Sequence, residues 1–171
     1  MARQRRLTVG LVGGDACSEN EAKLAFETGR QIARSDGVLI CGGGRGVMEA
    51  GCSGAKTASG VTVGVMPGDG PESSPPNDHL DFVLYTGLGQ GRNQIVVLSS
   101  DAVIAIGGEW GTLSEIAIAK KYGIPVVLLQ SWAVEGPLGQ GLDDLPRAAS
   151  AKEAVAKAVR LAQGGQESAA E

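Results

Sequence analysis

Six short apolar runs alternate with segments of helical periodicity, and this alternation constrains the fold more than any other feature of the chain. The runs are Leu7–Val12, Val38–Cys41, Val61–Met66, Phe82–Tyr85, Ala102–Ile106 and Pro125–Leu129. Strands that are apolar at successive positions are typical of parallel sheets covered on both faces. The alternation therefore predicts an α/β fold, a doubly wound, Rossmann-like parallel β-sheet with helices on both faces.

The remaining segments predict helices, two irregular loops and a tail. Gly68–His79 and Val134–Arg147 are too rich in Gly and Pro for regular structure. The length of 171 residues suits one domain. We expect a single domain over residues 1–163 and a flexible tail over 164–171. The predicted helices begin at Ser18, cover Gly46–Ala58, Arg92–Ser99 and Thr112–Tyr122, and begin again at Ser150.

Charge and cysteine content exclude several classes of function. The net charge of −4 argues against a general nucleic-acid partner, which normally meets a basic face. No apolar run reaches the length of a membrane span. Cys17, Cys41 and Cys52 stand far apart and, with His79, form no zinc pattern, so we expect reduced thiols and no metal site. A cytoplasmic protein is the expectation.

Three glycine-rich segments each join a predicted strand to the beginning of a predicted helix. They are C-G-G-G-R-G-V-M-E (Cys41–Glu49), T-G-L-G-Q-G-R-N (Thr86–Asn93) and G-G-E-W-G-T-L-S-E (Gly107–Glu115). A helix N-terminus offers unpaired N–H groups to a phosphate, and ligands of such sheets bind beyond the carboxyl ends of the strands. The dinucleotide pattern G-x-G-x-x-G fails at Val47, and Lys56 is misplaced for a P-loop. The three segments together favour a phosphate-bearing ligand that is neither an ordinary dinucleotide nor an NTPase substrate.

Three charged residues within these segments are candidate ligand contacts. Arg92 begins a predicted helix, where the helix dipole disfavours a cation, so a bound anion would explain it. Arg45 lies inside the first glycine loop and would add a second cation, or face solvent. Thr112 and Glu115 form T-x-x-E, which predicts either a capping box or, for Glu115, a contact with the ligand.

The motifs G-G-G-x-G-x-M, G-R-N-(seven residues)-D-A-V-I-A and G-T-L-S-E-I-A resemble the LOG-like (SLOG) Rossmann superfamily over about residues 7 to 130. That superfamily includes the Lonely Guy nucleoside 5′-monophosphate phosphoribohydrolases, often called lysine decarboxylase-like, and the small molybdenum-cofactor carrier proteins. The resemblance implies that Arg92 and Glu115 would be catalytic in an enzyme. The predicted ligand-binding and phosphate-binding residues are Gly42, Gly43, Gly44, Arg45, Gly46, Arg92, Asn93, Gly108, Gly111, Thr112 and Glu115.

Departures from the hydrolase pattern favour a carrier. Asn93 stands where the hydrolases have Lys, and Glu109 adds a carboxylate where they have Gly. Our first hypothesis is a binding protein for a phosphorylated nucleotide or pterin-type cofactor, such as molybdenum cofactor, with no cofactor required for activity. The alternative is a phosphoribohydrolase acting on AMP-like substrates, and the third is a regulatory interaction protein. The resemblance also implies a homo-oligomer, a dimer or tetramer, packed through Gly46–Ala58 or the apolar helix that begins at Arg92.

Overall fold

A seven-stranded sheet forms the middle layer of the protein. The structure is a computed structural model and describes residues 5–133 and 144–168. The strands are β1 (Thr8–Val12), β2 (Val38–Cys41), β3 (Val61–Met66), β4 (Phe82–Tyr85), β5 (Ala102–Gly107), β6 (Val126–Ser131) and β7 (Arg147–Ala148). The helices are α1 (Glu19–Arg34), α2 (Val47–Thr57), α3 (Arg92–Leu98), α4 (Trp110–Tyr122) and α5 (Ala151–Ser168).

The strand order β4-β3-β2-β1-β5-β6-β7 creates one reversal of direction across the sheet. All six pairings are parallel within the described residues. The chain proceeds outward from β1 to β4 and then returns to the other side of β1 to form β5. The segments that leave β1 and β5 therefore diverge, and a crevice opens between them at their carboxyl ends.

The helices cover both faces of the sheet, which confirms the predicted doubly wound α/β fold. On one face, α1, α2 and α5 bury apolar side chains against Leu11, Ile104 and Val127. On the other face, α3 and α4 pack on Val103 and Ala105. Successive side chains of β5 thus point to opposite faces, and both directions are apolar, as the continuous apolar runs predicted.

The beginning of α1 shows how local sequence sets a helix boundary. The Ser18 hydroxyl accepts a hydrogen bond from the Glu21 backbone N–H at 3.2 Å, and the Glu21 carboxylate accepts one from the Ser18 backbone N–H at 2.7 Å. This reciprocal pair is a capping box, and it marks the helix beginning that was predicted at Ser18.

The beginning of α4 rules out the capping box, one of the two alternatives predicted for Thr112 and Glu115. Gly108 has φ +134° and Glu109 is extended, so the chain turns sharply and the helix begins at Trp110. The first helical bond runs from the Leu113 N–H to the Glu109 carbonyl. Thr112 is therefore already helical and Glu115 lies in the second turn, where it cannot bond the N–H groups of the helix beginning.

Two further boundaries differ from the sequence predictions. β7 (Arg147–Ala148) begins at the last residue of the segment predicted as an irregular loop, next to the point where the Leu128 N–H of β6 donates to the Pro146 carbonyl. Residues 134–143 of that loop are outside the described residues. The last helix continues to Ser168, past Gly164, because an established helix gains a hydrogen bond with each added residue and tolerates a glycine at about 1 kcal/mol. Residues 169–171 of the predicted tail lie outside the described residues.

Glycines of α1 and α2 bring these two helices into backbone contact. A Cβ at Gly54 of α2 would lie 1.8 Å from the Phe26 carbonyl oxygen, and one at Gly29 of α1 would lie 1.8 Å from the Gly51 carbonyl oxygen. The small residues of α2 therefore serve packing within the chain. This close approach holds α2, and the glycine loop before it, against the sheet.

We expect Gly54→Ala to lower the free energy of unfolding by about 1–3 kcal/mol or more, because the added methyl group would overlap a backbone carbonyl. Urea unfolding followed by circular dichroism measures the change. Gly164→Ala is the matched control, since nothing lies within 4 Å of its Cβ position, and helix propensity predicts a gain of about 1 kcal/mol. Equal stability of the Gly54→Ala and wild-type proteins would contradict the close packing.

Candidate functional site

A cavity of about 560 Å³ occupies the crevice between the carboxyl ends of β1 and β5. Its walls come from the segment after β1, the first glycine loop, the beginning of α3 and the first turns of α4. The lining residues are Leu11, Val12, Gly13, Gly14, Asp15, Gly42, Met48, Gln90, Gly91, Arg92, Asn93, Gln94, Glu109, Trp110, Gly111, Thr112, Ser114, Glu115 and Ile118.

A second cavity of about 260 Å³ adjoins the first. Asp15, Gly42 and Arg92 line both, so Arg92 lies in the wall between them. The remaining walls of the smaller cavity come from the first glycine loop and the loop after β3. They are Gly44, Arg45, Met66, Pro67, Ser74 and Pro75.

The Arg92 guanidinium packs against the backbone of the first glycine loop. A Cβ at Gly42 would lie 1.9 Å from Arg92 Nη1, so residue 42 must lack a side chain for Arg92 to take this position. Arg92 is the first residue of α3, after a single 3-10 turn over Gly89–Gly91. Its Nε atom is buried and has no hydrogen-bond partner within the described part of the chain. A buried donor without a partner is costly, which favours an acceptor at this place when a ligand is bound.

Glu115 is the acidic partner of this guanidinium. Its Oε1 atom lies 3.7 Å from Arg92 Nη1, and the side chains of Arg92 and Glu115 are only 14% and 7% exposed. Burial raises the pKa of Glu115 to about 7, although the Arg92 guanidinium opposes this rise. The carboxyl group is thus poised to exchange a proton near neutral pH.

Asn93 supplies a second buried polar atom without a partner. Its Nδ2 donates to Ser114 Oγ at 3.2 Å, and the Ser114 hydroxyl donates to the Gly111 carbonyl at 2.7 Å. The Asn93 Oδ1 atom is buried and accepts no hydrogen bond from any described residue. Beside the cavity, the described residues therefore leave one buried donor, on Arg92, and one buried acceptor, on Asn93, without a partner.

The structure brings most of the predicted binding residues together and places three of them elsewhere. Gly42, Gly44, Arg45, Arg92, Asn93, Gly111, Thr112 and Glu115 line the two cavities. Three glycines with positive φ are absent from the described walls of these cavities and shape the turns instead: Gly43, Gly46 and Gly108.

Close contacts explain why these three positions are glycine. The Gly43 N–H donates to Cys41 Sγ at 3.3 Å, and the Gly43 carbonyl accepts from the Asn77 N–H at 2.9 Å. A Cβ at Gly46 would lie 2.4 Å from the Asp15 carbonyl oxygen, and one at Gly108 would lie 2.8 Å from Trp132 Nε1.

Sequence reasoning missed the segment that follows β1. Asp15 lines both cavities, and its Oδ1 atom accepts a hydrogen bond from the Arg45 N–H at 3.1 Å. The G-G-D sequence of Gly13–Asp15 was a usable signal, because the strand that begins a doubly wound sheet borders the switch point. Gln90, Gln94 and Trp110, which also line the larger cavity, carried no such signal.

Charge is distributed unequally between the two cavities. Asp15, Glu109 and Glu115 line the larger one with Arg92 as its cation, whereas Arg45 and Arg92 face Asp15 in the smaller one. The Glu109 side chain turns toward the segment after β1, since a Cβ at Gly14 would lie 3.2 Å from its Oε1. The smaller cavity therefore attracts an anion more strongly, and the larger one suits hydroxyl and ring N–H donors.

Metal-binding side chains do not cluster here. Within residues 5–133 and 144–168, no group of three or more His, Cys, Asp or Glu side chains is placed to hold a metal ion. No helix in those ranges is long and apolar enough to span a bilayer.

Residues 6–163 match the model of the SLOG cluster4 family, and this match covers most of the chain. The chain belongs to the SLOG cluster4 family. The superfamily predicted from the three motifs is thereby confirmed, and the family match extends beyond the region of the motif resemblance to include α5.

Solved structures of similar proteins share this SLOG fold. The molybdenum cofactor binding protein of Rippkaea orientalis is 35% identical, with a TM-score of 0.82, and the alignment covers 93% of this chain and 99% of that one. The molybdenum cofactor carrier protein of Chlamydomonas reinhardtii is also 35% identical, with a TM-score of 0.77 and coverage of 92% and 98%. Among curated sequences, the cytokinin riboside 5′-monophosphate phosphoribohydrolase of Mycobacterium tuberculosis is 33% identical over 117 residues, 64% of this chain and 63% of that protein.

Because Glu115 is buried, we expect the free energy of unfolding of this SLOG protein to depend on pH. Its pKa is about 7 in the folded chain against an ordinary value of 4.5, so the folded state binds more protons between these two values. The free energy of unfolding should therefore fall as pH rises from about 4.5 to about 7, by up to about 3 kcal/mol, and then level off.

Urea unfolding at a series of pH values tests this dependence. Glu115→Gln should remove the decline, whereas Glu19→Gln, which changes a solvent-exposed carboxylate of α1, should leave it as in the wild type. Parallel pH profiles for the wild type and Glu115→Gln would contradict the raised pKa.

Proposed function

We propose that this chain is a binding protein for a phosphorylated small molecule with a heterocyclic ring, either a nucleoside monophosphate or a pterin-type cofactor such as molybdenum cofactor. The observation that carries the proposal is Arg92. Its guanidinium lies in the wall shared by two adjoining cavities, with Nε buried and without a partner in the described chain. The Arg92 side chain is 14% exposed, and a phosphate in the cavity would bond the guanidinium in a charge-assisted pair.

The two cavities divide the proposed ligand into an anionic part and a ring part. Arg45 and Ser74 join Arg92 around the smaller cavity, and they suit a phosphate. The larger cavity, at about 560 Å³, lies within the range of small-molecule sites.

A molybdenum cofactor would be cargo rather than a resident group, and the residues fit its organic part. The two carrier-type relatives, which match nearly the whole chain at 35% identity, support this ligand. The described residues contain no cluster of metal-ligating side chains. Recognition would therefore rest on two parts of the cofactor. Arg92 and Arg45 would contact the phosphate. Asn93 Oδ1 and the carboxylates of the larger cavity would accept hydrogen bonds from the pterin N–H groups.

Hydrolysis of a nucleoside monophosphate is the second candidate, favoured by the pairing of Glu115 with Arg92. A fixed carboxylate can stabilise the oxocarbenium-like charge that develops when a ribosyl C–N bond breaks. The similarity to a phosphoribohydrolase supports this reading. However, Asn93 and Glu109 depart from the hydrolase pattern, and the alignments with the two molybdenum-cofactor proteins cover nearly the whole chain, whereas the phosphoribohydrolase alignment covers 64% of it. Binding without cleavage is accordingly the preferred function.

Calorimetric titration and a chromatographic assay separate the two functions. We expect the pure protein to bind AMP or neopterin monophosphate and to release no free adenine from AMP. Arg92→Met should lower the affinity by about 10-fold or more, because a charge-assisted hydrogen bond is lost.

The matched control is Arg160→Met, which removes an exposed arginine of α5 that lines neither cavity. Unchanged affinity in Arg92→Met would contradict the placement of the phosphate. Adenine release that disappears in Glu115→Gln would instead establish the hydrolase.

A homo-oligomer, a dimer or tetramer, is the second part of the proposal, with residence in the cytoplasm as expected from the sequence. Phe82 and Leu84 of edge strand β4 are 60% and 50% exposed. They pair with Val63 and Val65, so they face the side of the sheet that α3 covers only in part. Leu88 and Leu98 are also exposed, at 58% and 45%. We propose that a second copy of the chain covers these exposed apolar residues. Two identical apolar surfaces can bury each other, and none of these four residues carries a charge that burial would disfavour.

Light scattering after size-exclusion chromatography measures the assembly state. We expect Leu84→Lys to convert the oligomer to a monomer, because a charge would be buried at the contact. Gln163→Lys adds the same charge on α5, on the opposite face of the sheet, and should leave the mass unchanged. A wild-type monomer would contradict this part of the proposal.

A further inference from the structure

Trp110 is 77% exposed and nevertheless lies at the rim of the ligand cavity. We infer that its indole is the stacking surface for the heterocyclic ring of the ligand, an inference that rests on the proposed function and names a specificity residue for it. The chain contains two tryptophans, and leaving so large an apolar ring in water forgoes most of the stabilisation that burial would give. A flat ligand ring would bury the indole face.

The position of Trp110 on α4 aims the indole at the cavity. Trp110 is the first residue of the helix, and Ser114 and Ile118 follow it at intervals of four residues on the same side. All three line the larger cavity. The first turns of α4 therefore form one wall of the cavity, with the Trp110 indole at its rim and Thr112 and Glu115 farther along the same helix.

A second indole supports the first from outside the cavity. The ring centroids of Trp110 and Trp132 lie 5.5 Å apart with an interplanar angle of 38°. Trp132 is half-buried, and its Nε1 lies close to Gly108, where any side chain would collide with it. Contact with this held neighbour restricts the rotamers of Trp110, so less conformational entropy is lost when a ligand stacks on it.

Two glutamines at the same cavity suit the edge of a heteroaromatic ring. Gln90 and Gln94, from the 3-10 turn and α3, line this cavity, and the Gln94 amide N–H donates to the Tyr122 hydroxyl at 3.4 Å. An amide both donates and accepts, as do the edges of purines and pterins. Stacking is tolerant of ring identity, because every such ring has a π-face. Trp110 would therefore select for a flat ring, and the amides would select among rings.

Each tryptophan can be observed alone, because Trp132→Phe leaves Trp110 as the single tryptophan and Trp110→Phe leaves Trp132. We expect AMP to quench the tryptophan emission of the Trp132→Phe protein with a midpoint equal to the calorimetric dissociation constant. Ribose 5-phosphate, which has no ring, should bind without quenching. In the Trp110→Phe protein, AMP should change the remaining emission only weakly.

Affinity supplies the second readout. Trp110→Ala should weaken AMP or neopterin monophosphate, whichever binds the wild type, by about 10-fold, as loss of one base–aromatic stack does. Trp110→Tyr should keep most of the affinity. The affinity for ribose 5-phosphate should be unchanged in all three proteins, which controls for the fold and for the phosphate contacts.

Several outcomes would overturn the inference. Equal affinity of the wild type and Trp110→Ala for the ring-bearing ligand would leave the proposed function standing and remove only the stack. An equal loss of ribose 5-phosphate affinity would show an effect on the helix end rather than on the ring. A change of oligomer mass in Trp110→Ala, with ligand affinity intact, would make Trp110 a protein contact. Failure of the wild type to bind any of the three probes would end the proposed function and this inference with it.

Discussion

The contact between the Arg92 guanidinium and the bare backbone at Gly42 organises the site. Arg92 comes from the beginning of α3, and Gly42 from the end of β2, so the contact joins two elements that the strand reversal at β1 brings to one edge of the sheet. A methyl group at residue 42 would displace the guanidinium by occupying its volume. The separation of the two cavities, the pairing with Glu115 and the direction of the unpartnered Nε all depend on this contact.

Burial and the Arg92 guanidinium shift the pKa of Glu115 in opposite directions, and a bound ligand would change the sum of these two effects. The carboxyl group lies close enough to the guanidinium for attraction, yet burial keeps its pKa near 7. A phosphate bound to the Arg92 guanidinium would weaken its attraction for the Glu115 carboxylate and so raise the pKa of Glu115 further. Ligand binding should therefore be accompanied by proton uptake at Glu115. This coupling suits a protein that binds and releases a ligand. Deprotonation of Glu115 would favour release of the ligand, and release would favour deprotonation.

Most of the fold could be predicted from the sequence because its signals are local. Apolar runs such as Val38–Cys41 and Phe82–Tyr85 have the same boundaries in the structure. Arg92 and Glu115 were found through the chemistry expected at helix beginnings and through the family motifs. The beginning of α4 was mispredicted because T-x-x-E satisfies a local pattern, whereas the true boundary depends on how Gly108 and Glu109 leave β5.

The remaining site features depend on contacts between distant segments, which one sequence does not display. Asp15 reaches the Arg45 N–H only after β1 and β2 have paired, and the two-residue strand β7 exists only because β6 offers a free edge. Trp110 and Trp132 are separated by all of α4 and β6 and meet at the cavity rim. Contacts between distant segments also bear on the choice between a carrier and a hydrolase. Both proposed functions would use the Arg92 guanidinium and the glycine loops, and hydrolysis would in addition need Glu115 beside the ribosyl bond.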